Sequence, residues 1–440
     1  MNTFPEAAEN RSAIDYGAWE TLAPKAVLAC IPFGFFVLAN IYDMGGTHGL
    51  KYISYLVLAL LIPFARRPLR LRVYEEFGIA LLFLVWPACS LFMGLFNGAD
   101  LTGDNGAISQ VTPFLGFFVP LLVVPILGSQ RVLVCMYYAF LTMGIAMVIL
   151  TALMYQGLAM GFITRIPEFC SALYAPYYGG IGEYRLYFQA TLWMVPASVY
   201  FARTSQFPLV MLCLAGLMLS GSKAGALIAF AFIVWILLSA KNHRIFGLLC
   251  VVAAVIAGLF FLPSFLEIMH DAFLVSDSHG LLVRYGHAYS VIQVFIQKPW
   301  TIFIGNGAGA TFYSSGTGAW EVRMETDHLD AIFHYGILWF GAFTGLCLWT
   351  IRRLFRSGGV NHKAHGLALL SMYIASGTNP QLISPLFMFY LCASYLMARK
   401  LPKFPSIAPL PERAPLLVDA PRNDEAAAHP LPSSGLGCEG

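Results

Sequence analysis

The chain has 440 residues, 58% of them hydrophobic and only 11% charged, with a formal net charge of +3. Ordinary soluble domains carry about 25% charge, so the composition excludes one. The small net charge gives no reason to expect a nucleic-acid partner. Apolar runs near 20 residues recur along the whole length, and they are continuous rather than alternating. That pattern predicts an all-α polytopic membrane helix bundle rather than a β-barrel.

Residues 1–24 are polar and hold four acids (Glu6, Glu9, Asp15, Glu20) with a lone Arg11. A signal peptide has a basic start followed at once by an apolar stretch, so this segment reads as a cytoplasmic lead-in. The hydropathy predicts about twelve transmembrane helices, at 25–42, 50–65, 76–97, 112–128, 132–158, 186–202, 206–220, 224–240, 245–264, 329–351, 364–379 and 381–398. The run from Phe207 to Ala240 is too long for one span at 1.5 Å per residue. Ser220-Gly221-Ser222-Lys223 reads as the turn that divides it. Thr378-Asn379-Pro380 divides the last two spans, because proline cannot continue a helix. Residues 399–440 hold eight prolines in the last forty positions and no helical period, which predicts a disordered cytoplasmic tail.

Basic residues in short loops orient such a bundle. Arg66, Arg67, Arg70 and Arg72 follow the second span, and Arg131 the fourth. Arg352, Arg353 and Arg356 follow the tenth, and Arg399 and Lys400 the twelfth. All leave on one face, which the rule makes cytoplasmic, with both termini on that side. The loop 266–328 then lies outside the cytoplasm. The nine cysteines stand singly and mostly inside apolar runs, so neither a disulfide framework nor a zinc site is expected.

The loop 266–328 is the long polar interruption between spans, and it should contain short helices. Arg284 heads an amphipathic stretch in which Arg284, His287, Ala288, Val291 and Phe295 share one helical face. Gly305-Asn306-Gly307-Ala308-Gly309 matches a dinucleotide-loop spacing only superficially, since no βαβ unit surrounds it, and it reads as a turn. Acids and an imidazole then crowd the mouth of the next span: Glu325, Asp327, His328 and Asp330. Acids there stabilise a helix start. Next to cations they also make a general base, for which His328 and Asp327 are the candidates and Glu325 and Asp330 the supporting groups. His334 lies deeper and reads as a packed histidine. Arg165, Arg185, Lys223 and Arg284 sit on the outward side, against the usual charge bias, and as a set they suit an anionic ligand such as a diphosphate.

Three stretches resemble the O-antigen ligase and polymerase superfamily of bacterial envelope glycosyltransferases. Ser220-Gly221-Ser222-Lys223-Ala224-Gly225 is similar to that family's Ser-Arg-Gly turn, with Lys223 where arginine is usual. Arg284, then Lys298-Pro299-Trp300 and Ile304-Gly305-Asn306-Gly307, resembles its large-loop pattern. Asp327-His328 followed by Tyr335-Gly336-Ile337 resembles the start of the following span, although many members have His-Asn there. The resemblance implies a polymerase of undecaprenyl-diphosphate-linked repeat units, making exopolysaccharide, capsule or O-antigen in the bacterial inner membrane. It implies no metal, no cofactor and no nucleotide sugar. A chain-length regulator and an exporter are the partners such a polymerase would have. A ligase to lipid A core or protein, and a transporter of a lipid-linked or anionic solute, are the alternatives.

Overall fold

The computed structural model describes residues 24–42, 50–61, 73–103, 106–155, 172–176, 184–240, 245, 247–249, 252, 281–324, 326–357, 359–378 and 381–400. Their structure is dominated by helices. These are α1 (Pro24–Ile41), α2 (Leu50–Ala59), α3 (Val73–Phe96), α4 (Ala107–Leu127), α5 (Ser129–Tyr155), α6 (Met194–Arg203), α7 (Phe207–Leu219) and α8 (Lys223–Ser239). After the large loop begins come α9 (Leu281–Gln297), α10 (Thr301–Ile304), α11 (Asp327–Arg356), α12 (Val360–Ala375) and α13 (Pro385–Arg399). Helix lies on every expected span; of 245–264 only residues 245, 247–249 and 252 are described, and these are helical. Four helices, α3, α4, α5 and α11, are long and apolar enough to cross a membrane by length and composition. The expected tail 399–440 lies outside the described residues beyond Lys400, as does the lead-in 1–23.

Two small sheets depart from the all-helical expectation. β1 (Ala172–Pro176) pairs antiparallel with β2 (Tyr184–Phe188), and β3 (Phe312–Ser314) with β4 (Ala319–Glu321). β2 and the 3-10 turn Gln189–Trp193 occupy the start of the expected span 186–202, so α6 begins only at Met194. The Gly221 turn is where expected: α7 ends at Leu219, Gly221 takes a φ of +73°, and α8 starts at Lys223. At that φ a residue with a Cβ is strained.

Close packing of small residues joins the helices, as membrane bundles require in the absence of a strong hydrophobic drive between spans. Gly216 of α7 lies against Gly144 of α5, so closely that a Cβ on Gly216 would stand 2.7 Å from the Gly144 Cα. Some of the polar side chains buried between helices are paired across them. Tyr137 of α5 meets His365 Nδ1 of α12 at 3.1 Å and the Tyr390 hydroxyl of α13 at 2.6 Å. In α3, the π-helical turn Leu81–Val85 interrupts the regular ladder, and the Leu82 carbonyl accepts from Trp339 Nε1 of α11 at 2.9 Å.

The two ends of the bundle differ. At one, Arg399 closing α13 pairs with Glu75 opening α3 at 2.7 Å. At the opposite end of α3, Asn97 Nδ2 donates to the Asn306 carbonyl at 2.7 Å. The 281–324 segment is therefore gathered at the end of α3 away from Arg399.

Candidate functional site

Helix α11 is broken. Gly336 takes φ +81° and ψ 163°, which ends the regular ladder after about two and a half turns. The break frees backbone carbonyls, and buried carbonyls need partners. The glycine-rich run supplies them. Gly307 N donates to His334 O at 3.1 Å and Asn306 N to Phe333 O at 2.8 Å. Ser90 Oγ also donates to His334 O, at 3.1 Å, and Trp86 Nε1 to Tyr335 O at 2.9 Å. Gly305, Gly307 and Gly309 all have positive φ. A Cβ at Gly305 would collide with the His334 carbonyl, and one at Gly307 with Gly94 of α3. These glycines let backbone approach backbone; they fasten the loop onto the broken helix.

The first turn of α11 then projects its acids into the structure. Asp327 is 3% exposed, and its carboxylate accepts the backbone N–H of Leu382. Asp330 accepts from Met324 N at 3.1 Å, and His334 Nδ1 lies 3.5 Å from its Oδ1. His334 is fully buried, with Nδ1 against the Asp330 carbonyl (3.0 Å) and Nε2 against the Ala310 carbonyl (3.3 Å), so it is a packed histidine. His328 faces another way. Its ring lies 4.9 Å from Tyr373 and 5.7 Å from Phe340, and its Nε2 is buried with no hydrogen-bond partner. A Cβ on Gly377 would press on that ring at 3.1 Å.

Arg284 is the fourth residue of α9, half-buried, and donates to the Thr378 carbonyl at 3.5 Å. Thr378 adjoins Gly377, so Arg284 and His328 meet the same short strip. The described chain resumes at Gln381, and the next residue, Leu382, bonds to Asp327. Trp193 Nε1 donates to Gln381 Oε1 at 3.0 Å, which ties in the turn before α6. Leu192, beside it, packs on Gly225, one turn into α8. The stretches around 284 and 327 thus meet residues 377–378 and 382 directly, while the stretch around 222 reaches Gln381 only through Leu192 and Trp193.

Not every expected residue takes part. Lys223 is exposed at the first position of α8. Arg185 sits on β2 opposite Ala175. Arg165 and Glu325 lie outside the described residues. Conversely, a crevice of about 30 Å³ is lined by Arg323, Asp327, Asp330, Gln110, Tyr335 and Ile383. It has room for little more than a water molecule. Arg323 was overlooked as a site residue although it stands inside the charged run 321–330. Gln110 carried no signal, being one polar residue before an expected span. Its Oε1 accepts from Gly309 N at 2.8 Å, and its backbone carbonyl from the Tyr335 hydroxyl at 2.9 Å. Its buried Nε2 has no partner.

The arrangement offers a guanidinium, an accessible cation beside two carboxylates, and an imidazole with an unoccupied nitrogen. Among the described residues no group of three or more His, Cys, Asp or Glu could hold a metal ion. No protein-family model matches the chain, and no curated protein matches it significantly.

Proposed function

We propose that the chain polymerises oligosaccharide repeat units carried on undecaprenyl diphosphate, in a bacterial inner membrane. It would cross the membrane about twelve times with both termini cytoplasmic, and hold the site on the outer face. The ion pair between Glu75 and Arg399 supports this topology, since it puts the start of the third span beside the end of the twelfth. The reading rests on one observation above all. Two short segments, 376–378 and 381–383, meet these groups: Thr378 accepts from Arg284, Gly377 lies against His328, and Leu382 donates to Asp327.

The chemistry that suits these groups is a metal-independent glycosyl transfer. The bond between the anomeric carbon and the diphosphate oxygen breaks. A bond from an acceptor hydroxyl oxygen to that carbon forms, and the hydroxyl proton passes to a base. Arg284 and the exposed Arg323 stabilise the departing diphosphate, with Lys223 and Arg185 as further candidates. Of the candidate bases, His328 has the free nitrogen. The Asp327 carboxylate is committed to the backbone of 381–382, which makes it a positioning residue. Asp330 is likewise held by Met324 N.

A transporter reading draws on the broken helix, because transporters place unwound backbone at their ion sites. Here the carbonyls freed at Gly336 already accept from Ser90, Gly307 and Trp86, so protein donors stand where a transporter would place an ion. The deciding experiment is Arg284→Ala in purified protein given lipid-linked glycan. Polymer should disappear while the protein stays in the membrane fraction at the wild-type level. Full polymer yield from that variant would overturn the reading.

A further inference from the structure

A second cavity lies apart from the Asp327–His328 strip. It is a cleft of about 450 Å³ between α9 and the β3–β4 hairpin, within the range of about 300–1,000 Å³ typical of small-molecule sites. Tyr289, Gln293 and Gln297 line it from successive turns of α9, one helical face apart from Arg284. Tyr313 and Trp320, cross-strand partners in the hairpin, line the facing wall. Their rings meet edge-to-face at 5.8 Å and 75°, and Trp320 is 69% exposed. The hairpin is held to the helix by Ser315 N, which donates to Ser290 Oγ at 2.9 Å.

We propose that this cleft binds a neutral oligosaccharide. A pyranose ring has apolar C–H faces and a rim of hydroxyls. Aromatic side chains present a matching flat surface. Side-chain amides offer both donor and acceptor, as hydroxyls do. Gln293, Gln297, Asn97 and Asn306 line the cleft among those rings. Lys298 is the one basic residue in the lining, and no carboxylate joins it. An anionic ligand such as a diphosphate would call for several cations, and a lipid tail for a dry wall. This cleft has neither.

The cleft also has a mechanical link to the site described above. Asn306 and Ala310 form part of its wall. Asn306 N donates to Phe333 O, and the Ala310 carbonyl meets His334 Nε2 at 3.3 Å. One face of the 305–310 run therefore touches the sugar and the other the broken helix. If the polymerase reading holds, on which this last step rests, the cleft seats a glycan beyond the reacting unit.

The test uses full-length protein in lipid nanodiscs, with maltotriose, chitotriose and trigalacturonate as probes and saturation-transfer NMR as the readout. At least one neutral trisaccharide should bind saturably. Trp320→Ala and Gln293→Ala should each weaken it by about tenfold or more, equal to about 1.4 kcal/mol. Failure of both neutral sugars, tighter binding of trigalacturonate, or unchanged binding in both variants would overturn the proposal. So would quenching of Trp320 by nitroxide-labelled lipid, which would put this aromatic face in the bilayer; the difference between wild type and Trp320→Phe isolates that signal. Arg284→Ala separates the two readings, since it should lose polymer yet keep trisaccharide binding.

Discussion

The backbone N–H of Leu382 donates to the buried carboxylate of Asp327, 55 positions away in sequence. A carboxylate removed from water needs such donors. The bond fixes where the strip after α12 lies against α11, and hence where Thr378 meets Arg284 and Gly377 meets His328. Replacing Asp327 by alanine strands a buried donor, at about 1–3 kcal/mol. Asp327→Ala is expected to lower the unfolding temperature and the polymer yield together, with Asp327→Asn between it and wild type. Fluorescence-detected thermal unfolding in detergent, alongside polymer gels, checks this.

His328 should behave differently. Its Nε2 has no hydrogen-bond partner, so His328→Ala breaks no hydrogen bond made by that nitrogen. If it is the base, product formation should fall by about 10²–10⁴-fold, out of proportion to the smaller drop in unfolding temperature from the ring packing lost on Tyr373 and Phe340. Equal losses of stability and activity, as at Asp327, would assign it a packing role.

Gly336→Ala should prevent accumulation of the protein. The residue sits at φ +81°, and a Cβ there would strike the Phe303 carbonyl. Backbone strain alone costs about 1–3 kcal/mol, and the clash adds to it. The level of a fluorescent fusion in membranes, compared with Gly341→Ala, reads this out. Nothing stands within 4 Å of where a Gly341 Cβ would be, so that variant should accumulate normally.

Tyr137→Phe removes the hydroxyl that joins three helices through His365 and Tyr390. Leaving two buried polar groups short of a partner should cost about 1–3 kcal/mol. A lower unfolding temperature is expected, with glycan product per folded molecule unchanged.

Parts of the site were legible because they rest on local chemistry. The Gly221 turn, the helix headed by Arg284, and the placing of Asp327 and Asp330 on one face of a first turn follow from backbone preference and a 3.6-residue period. The glycine run was read as a turn, but its partner was invisible. Only the fold shows what each positive-φ glycine lies against: Gly305 the His334 carbonyl beside the break, Gly307 the Gly94 backbone and Gly309 the Ala107 backbone. Arg323 and Gln110 were missed for a related reason. Gln110 has no sequence neighbour that advertises a pocket, and the residues it meets come from distant helices; Arg323 has such neighbours in Asp327 and Asp330, but only the fold shows that it shares their crevice.

By itself, the sequence determined a helical chain rich enough in apolar runs for a membrane, with its polar chemistry concentrated between 281 and 330. Those outcomes depend on composition and short-range periodicity, which act within a few turns of chain. Tertiary structure alone decided that α11 breaks, that Thr378, Gly377 and Leu382 meet Arg284, His328 and Asp327, and that a hairpin faces α9 across an aromatic cleft. Each of these depends on buried hydrogen-bond groups finding partners dozens or hundreds of residues away, and no local pattern encodes which partner is met.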